Sequence, residues 1–153
     1  MIVISCSSSK SEFTQIAKTS KLVSIDGSEI AFENILKKHE GKTILIEVWA
    51  AWCSDCVKNM PKIKAIQTKN PNVDYVFLSA DKTPESWKAG IEKYKIVGEN
   101  YLISDGMQGV FGNAINLDWI PRYIIIDKTG KIIIYKAIET DFDKVNETLK
   151  SLE

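Results

Sequence analysis

The stretch Lys42-Thr-Ile-Leu-Ile-Glu-Val-Trp-Ala-Ala-Trp-Cys-Ser-Asp-Cys-Val-Lys-Asn-Met-Pro61 decides the fold. Thr43 to Trp49 is too uniformly apolar to have a solvent face, as expected of a central parallel strand covered on both sides. It runs into Cys53-Ser54-Asp55-Cys56, and a helical pattern begins at once, with Val57, Met60, Ile63 and Ile66 on one side. Pro61 lies inside that pattern and deprives the Val57 carbonyl of its partner, so a kink is expected there. Two cysteines at this spacing on the first turn of a helix make a redox pair. The helix start supplies unpaired N–H groups and about half a positive charge, which favour a thiolate at Cys53.

Length and composition bound the rest. At 153 residues with 44% hydrophobic content, the chain suffices for one domain with a sizeable core and is short for two. Lys plus Arg and Asp plus Glu both number 20, so no basic excess points to a nucleic-acid partner. Of three cysteines, too few for a disulfide scaffold, the CxxC uses two and leaves Cys6 over. Zinc would need four ligands, and beyond the pair the chain offers Cys6, the single His39 and carboxylates, so no metal or other cofactor is expected. No stretch approaches the ~20 apolar residues needed to span a bilayer.

Met1 to Ser20 is organised differently from the remainder of the chain. Ile2-Val-Ile-Ser-Cys6 is a short apolar run, and Ser7-Ser-Ser-Lys-Ser-Glu is a polar segment that cannot bury a core, so residues 1–20 read as a flexible tether and 21–153 as the folded domain. Leu22 to Ile25, the Asp26-Gly27 turn and Glu29-Ile-Ala read as a hairpin. Phe32, Ile35 and Leu36 recur at helical spacing with His39 on the same face, and Gly41 closes that helix. Val73 to Ser79 is a second core strand, parallel to the first because a crossover helix reaches it. Thr83-Pro84-Glu85 opens a helix with buried stripe Trp87, Ile91 and Tyr94. Tyr101-Leu-Ile is a short strand, and Met107, Val110, Phe111, Ala114 and Ile115 form a helical stripe. Tyr123 to Asp127 and Lys131 to Tyr135 form a second hairpin around Gly130. Thr140 and Asp143 suggest a capping box for a last helix burying Phe142, Val145, Leu149 and Leu152. The sum is an α/β fold with a mixed central sheet, helices on both faces and an N-terminal β-hairpin extension.

Trp52-Cys53-Ser54-Asp55-Cys56 after an apolar strand, with Pro61 five residues past the second cysteine, resembles the active site of the thioredoxin superfamily, and most closely its membrane-tethered bacterial oxidoreductases of the TlpA/ResA type. The resemblance covers roughly residues 21–153 and implies thiol-disulfide exchange, with Cys53 attacking and Cys56 resolving. Ser54 and Asp55 would tune the pair, the Asp55 charge disfavouring the thiolate and giving a more reducing couple. Glu47 stands where thioredoxin has a buried acid, which implies a general base for Cys56; its usual lysine partner on the next strand is replaced by Phe77. Asp118-Trp119-Ile120-Pro121-Arg122 resembles the family's cis-proline loop, in which the residue before proline, here Ile120, offers backbone hydrogen bonds to substrate. Arg122 stands where threonine is usual. Trp119 and Trp52 would form an apolar rim for a protein substrate, whereas Trp49 and Trp87 read as core, His39 as a helix-end residue and Lys37-Lys38 as solvated surface. Val3-Ile4-Ser5-Cys6 resembles the end of a lipoprotein signal, which makes Cys6 a candidate lipidation site against an incidental cysteine.

The resemblance therefore implies an enzyme at the periplasmic or outer face of a bacterial membrane. It would reduce or rearrange disulfides in extracytoplasmic proteins, apocytochrome c being one substrate class, and a membrane thiol electron donor would re-reduce it. Contact with the membrane would run only through the lipid anchor. An isomerase or oxidase would use the same residues. A thiol peroxidase would want a hydroxyl at Ala50, and a non-catalytic binding module would not need both cysteines.

Overall fold

The computed structural model describes residues 10–153, in the order α1 (Gln15–Thr19), β1 (Lys21–Val23), β2 (Glu29–Ala31), α2 (Phe32–Lys38), β3 (Ile44–Trp49), α3 (Ser54–Lys58), α4 (Met60–Lys69), β4 (Asp74–Ser79), α5 (Pro84–Lys93), β5 (Glu99–Leu102), α6 (Val110–Ala114), β6 (Arg122–Ile126), β7 (Ile132–Ala137) and α7 (Phe142–Ser151). Cys6 lies outside the described residues. The strands form one sheet in the order β2-β1-β5-β4-β3-β6-β7. β3 pairs in parallel with β4, and β4 with β5, while β6, β7 and the β1–β2 hairpin run antiparallel to their neighbours. All six residues of β3 are buried, as a central strand with helices on both faces requires.

Two aromatic-rich layers hold the helices to the sheet. On one face Phe32 of α2 meets Phe13 and Phe111 edge-on, each with ring centroids 4.9 Å apart, so α1, α2 and α6 share one apolar seam. On the other, Trp49 packs against Gly90 of α5. Tyr123 lies 5.2 Å from Phe142 of α7, over whose ring the Lys62 ammonium of α4 sits at 5.2 Å. Trp49 and Trp87 are fully buried, as the sequence predicts.

Local chemistry accounts for the turns. Asp26 Oδ1 accepts from the N–H and hydroxyl of Ser28, and Gly27 takes φ +86°, which closes the first hairpin. Asp127 Oδ1 and Gly130 do the same in the second. The Thr83 hydroxyl accepts from Ser86 N–H with Pro84 in the first turn, as expected for α5.

Five expectations need correction. Residues 13–20 are not a loose tether: Phe13 and Ala17 enter the core, Thr14 caps α1, and the Ser11 carbonyl accepts from Ile132 N–H on the edge of β7. The Thr140–Asp143 box does not form; α7 starts after Asp141, whose carboxylate turns back to the Ile138 N–H at 2.8 Å. Val110 is exposed, since α6 starts there and only Phe111 and Gly112 of it are buried. Lys38 is half-exposed but not simply solvated, pairing with Glu99 at 3.1 Å and donating to the Tyr101 hydroxyl. Finally, the kink at Pro61 is a break: α3 ends at Asn59 and α4 begins with Pro61 in its first turn, while the Asn59 side chain donates to the Asp55 carbonyl. Among the described residues no helix is long and apolar enough to cross a membrane.

Candidate redox site

Beyond Trp49 the chain leaves the sheet through Ala50, Ala51 and Trp52 and reaches Cys53, the N-cap of α3. Cys53 and Cys56 are joined as a disulfide, with Cα atoms 5.2 Å apart. Cys53 Sγ accepts the backbone N–H of Cys56 at 3.1 Å, so the first turn of the helix points a donor at this sulfur. With α3 only one turn long, that hydrogen bond, rather than a long-helix dipole, is what the local structure offers a Cys53 thiolate. The two sulfurs differ in access: Cys53 retains 6% exposure and lines a surface groove, whereas Cys56 has none.

Opposite the pair runs the loop from Asn116 to Pro121. The Ile120–Pro121 peptide is cis, and the Ile120 carbonyl oxygen lies 3.7 Å from Cys53 Sγ, within reach of a thiol proton in the dithiol state. Trp52 and Trp119, both about half exposed, flank the groove, and Met107 and Asp118 complete its walls. Ser54 and Asp55 also line it, so eight of the residues singled out in the sequence meet at this end of the sheet: Trp52, Cys53, Ser54, Asp55, Cys56, Trp119, Ile120 and Pro121.

Glu47 sits inside β3, directly opposite Phe77 of β4 and Tyr123 of β6. It shares a face with Trp49, the side on which α4, α5 and α7 lie. It is buried, and neither carboxylate oxygen has a hydrogen bond of good geometry. Burial pushes its pKa up to about 8, opposed in part by the Tyr123 hydroxyl. Phe77 stands where a cation would otherwise compensate it, so the group is protonated below that range and can take a proton above it.

Sequence reasoning missed three groups around the site. Asp81, fully buried past the end of β4, accepts the Ala51 N–H on both oxygens at 3.1 Å and the Ser79 hydroxyl at 2.6 Å, pinning the chain just before Trp52 and Cys53. The available signal was an acid two residues past the end of a parallel strand, where α/β sheets gather functional groups. Glu139 accepts the Trp119 indole N–H at 3.0 Å. Arg122, noticed only as a departure, is buried and donates to the Ile115 and Asn116 carbonyls and to Asp118. His39 is at the far end of the sheet, its ring nitrogens each 2.6 Å from a carboxylate oxygen of Asp74 or Glu99 at the starts of β4 and β5. Among the described residues no cluster of three or more His, Cys, Asp or Glu side chains is placed to hold a metal ion.

Known proteins resemble this chain in sequence and fold. A family model described as Redoxin matches residues 5–152. Over 149 residues, 94% of this chain and 82% of the relative, the sequence is 26% identical to the thiol-disulfide oxidoreductase ResA of Bacillus cereus. A candidate thiol-disulfide oxidoreductase from Bacteroides vulgatus, 29% identical, superposes with a TM-score of 0.71 over 89% of this chain and 87% of that one. A secreted disulfide oxidoreductase of Mycobacterium tuberculosis, 17% identical, does so with 0.70 over 91% of this chain and 100% of its own, a likeness of fold.

Proposed function

Because this chain belongs to the redoxin family, as a thioredoxin-fold thiol-disulfide oxidoreductase of the ResA/TlpA type, we propose that it reduces disulfides of proteins outside the bacterial cytoplasm. The observation that carries the reading is the Cys53–Cys56 disulfide on a helix cap, one sulfur opening into a groove walled by Trp52, Trp119 and the Ile120 carbonyl.

In the reduced protein the Cys53 thiolate attacks one sulfur of a substrate disulfide. A Cys53–substrate bond forms and the other substrate sulfur leaves as a thiolate. Glu47 takes the proton of Cys56, whose thiolate attacks Cys53 sulfur, closes the Cys53–Cys56 bond and frees the second substrate thiolate. Two electrons have then passed to substrate, and a thiol donor must return two to the enzyme. Trp52 and Trp119 hold apolar substrate residues, while the Ile120 backbone offers hydrogen bonds to an extended segment. Ser54 and Asp55 tune the couple, with the Asp55 charge disfavouring the thiolate and so making the couple more reducing. The Val3-Ile4-Ser5 context supports a lipid anchor at Cys6 and, with it, an extracytoplasmic setting.

Insulin reduction with a dithiol donor tests the reading, with wild type expected to turn over and Cys53→Ser to be inactive. Cys56→Ser should accumulate a mixed disulfide. A couple well below about −200 mV supports the reductant, whereas a value near −120 mV would make the protein an oxidant. Mass spectrometry of the natural product shows whether Cys6 carries acyl chains.

A further inference from the structure

We infer that Arg122 is a positioning residue for protein substrates, fixing the loop that forms the wall of the groove opposite Cys53. The inference rests on the proposed function, in which that loop receives the substrate. Arg122 is 1% exposed, in a position where a cation is costly unless fully partnered. Its partners all lie in one short segment. Nη1 donates to the Ile115 carbonyl at 3.1 Å, and Nη2 to the Asn116 carbonyl at 2.6 Å and to Asp118 Oδ1 at 3.0 Å.

These acceptors are where the loop most needs a clamp. Ile115 caps the end of α6, where carbonyls lose their helical partners. Asn116 takes φ +52°, turning the chain sharply out of the helix toward Trp119 and Ile120. One planar guanidinium satisfies all three acceptors at once, which neither the single ammonium of lysine nor a threonine hydroxyl can do in that geometry. The Tyr135 ring backs the guanidinium, 5.6 Å from its carbon, and the second Asp118 oxygen accepts from Lys136 Nζ at 3.1 Å. Asp118 is thus held from two sides immediately before Trp119 and Ile120, which contribute indole and carbonyl to the groove. A pre-formed wall lowers the ordering cost of binding an extended chain. Small thiols need only the Cys53 sulfur and make no use of that wall.

The test separates these two demands. Arg122→Met should raise KM for insulin about tenfold with kcat within about twofold of wild type, and dithiothreitol should reduce Cys53–Cys56 at the wild-type rate. Arg122→Lys, keeping charge but not the fork, should show a smaller rise in KM, and it carries the comparison if the methionine variant does not fold. In both, the NMR signal of the Trp119 indole N–H should move while that of Trp87 stays. KM for insulin unchanged in the variants, or equal losses toward insulin and dithiothreitol, would overturn the inference. A wild type that dithiothreitol reduces but that reduces no insulin would instead sink the substrate reading, and the inference with it.

Discussion

Asp81 takes the Ala51 backbone N–H on both carboxylate oxygens, 3.1 Å each, across a separation of 30 residues. This ties the end of the second core strand to the turn that delivers Cys53. Asp81→Ala leaves that N–H and the Ser79 hydroxyl buried without an acceptor and is expected to cost about 1–3 kcal/mol. Insulin reduction should slow with it, because Trp52 and Cys53 come directly after Ala51. Asp81→Asn keeps one acceptor oxygen and should fall between. Urea unfolding and turnover, measured on all three proteins, check the order.

Glu47 gives stability a definite pH dependence. Its carboxyl ionises at about 8 in the folded protein, against 4.5 for an ordinary glutamate. Its contribution is therefore fully present below about pH 4.5 and is lost as pH rises through about 8, since the unfolded chain ionises first. At about 1.4 kcal/mol per pKa unit, Glu47→Gln should gain several kcal/mol relative to wild type at pH 8 and lose this pH slope. It should also slow resolution of the mixed disulfide, removing a rise in rate centred near pH 8. Parallel stability curves for the two proteins between pH 5 and 8 would refute the assignment.

Gly90 shows packing overriding helix propensity. A Cβ there would stand 2.7 Å from Ala51 Cβ and 3.1 Å from the Trp49 ring. Alanine would gain about 1 kcal/mol of helix propensity. Overpacking costs about 1–3 kcal/mol, and neither a methyl on the Cys53 turn nor a fully buried indole can move aside. Gly90→Ala is expected to lower Tm and slow insulin reduction. An increase in Tm would show that the turn yields freely.

Phe13 measures how far the domain extends toward the N-terminus. Its ring packs edge-on against Phe32 and keeps 8% exposure. Phe13→Ala should cost about 3 kcal/mol in denaturant unfolding. A loss below about 0.5 kcal/mol is what a dangling tether would give.

What could be read in advance depends on the range of the interactions. β3, the CxxC and the Asp127–Gly130 turn announce themselves through neighbouring residues, and the proline loop through its likeness to a known motif. Glu47 was conspicuous because it stands where thioredoxin has a buried acid, and its pairing with Phe77 came from the same likeness. Phe13 and Ala17 were hidden: with Ile16 they span a single helical turn inside a polar segment, too short to announce a core face, and the rings that Phe13 meets, Phe32 and Tyr135, lie far along the chain. Asp81 and Arg122 were hidden for the same reason, since their partners are set by how loops meet. Thr140 offered a good local cap, but the Asp141 carboxylate bonds the Ile138 N–H and the helix starts one residue later than the pattern suggests.

The unequal access of the two sulfurs governs how the protein can trade electrons. With Cys56 sealed and only Cys53 opening to the groove, every visitor must dock at the same doorway, whether it brings electrons or collects them. Donor and acceptor are consequently rivals that take turns, and saturating either one should throttle the other.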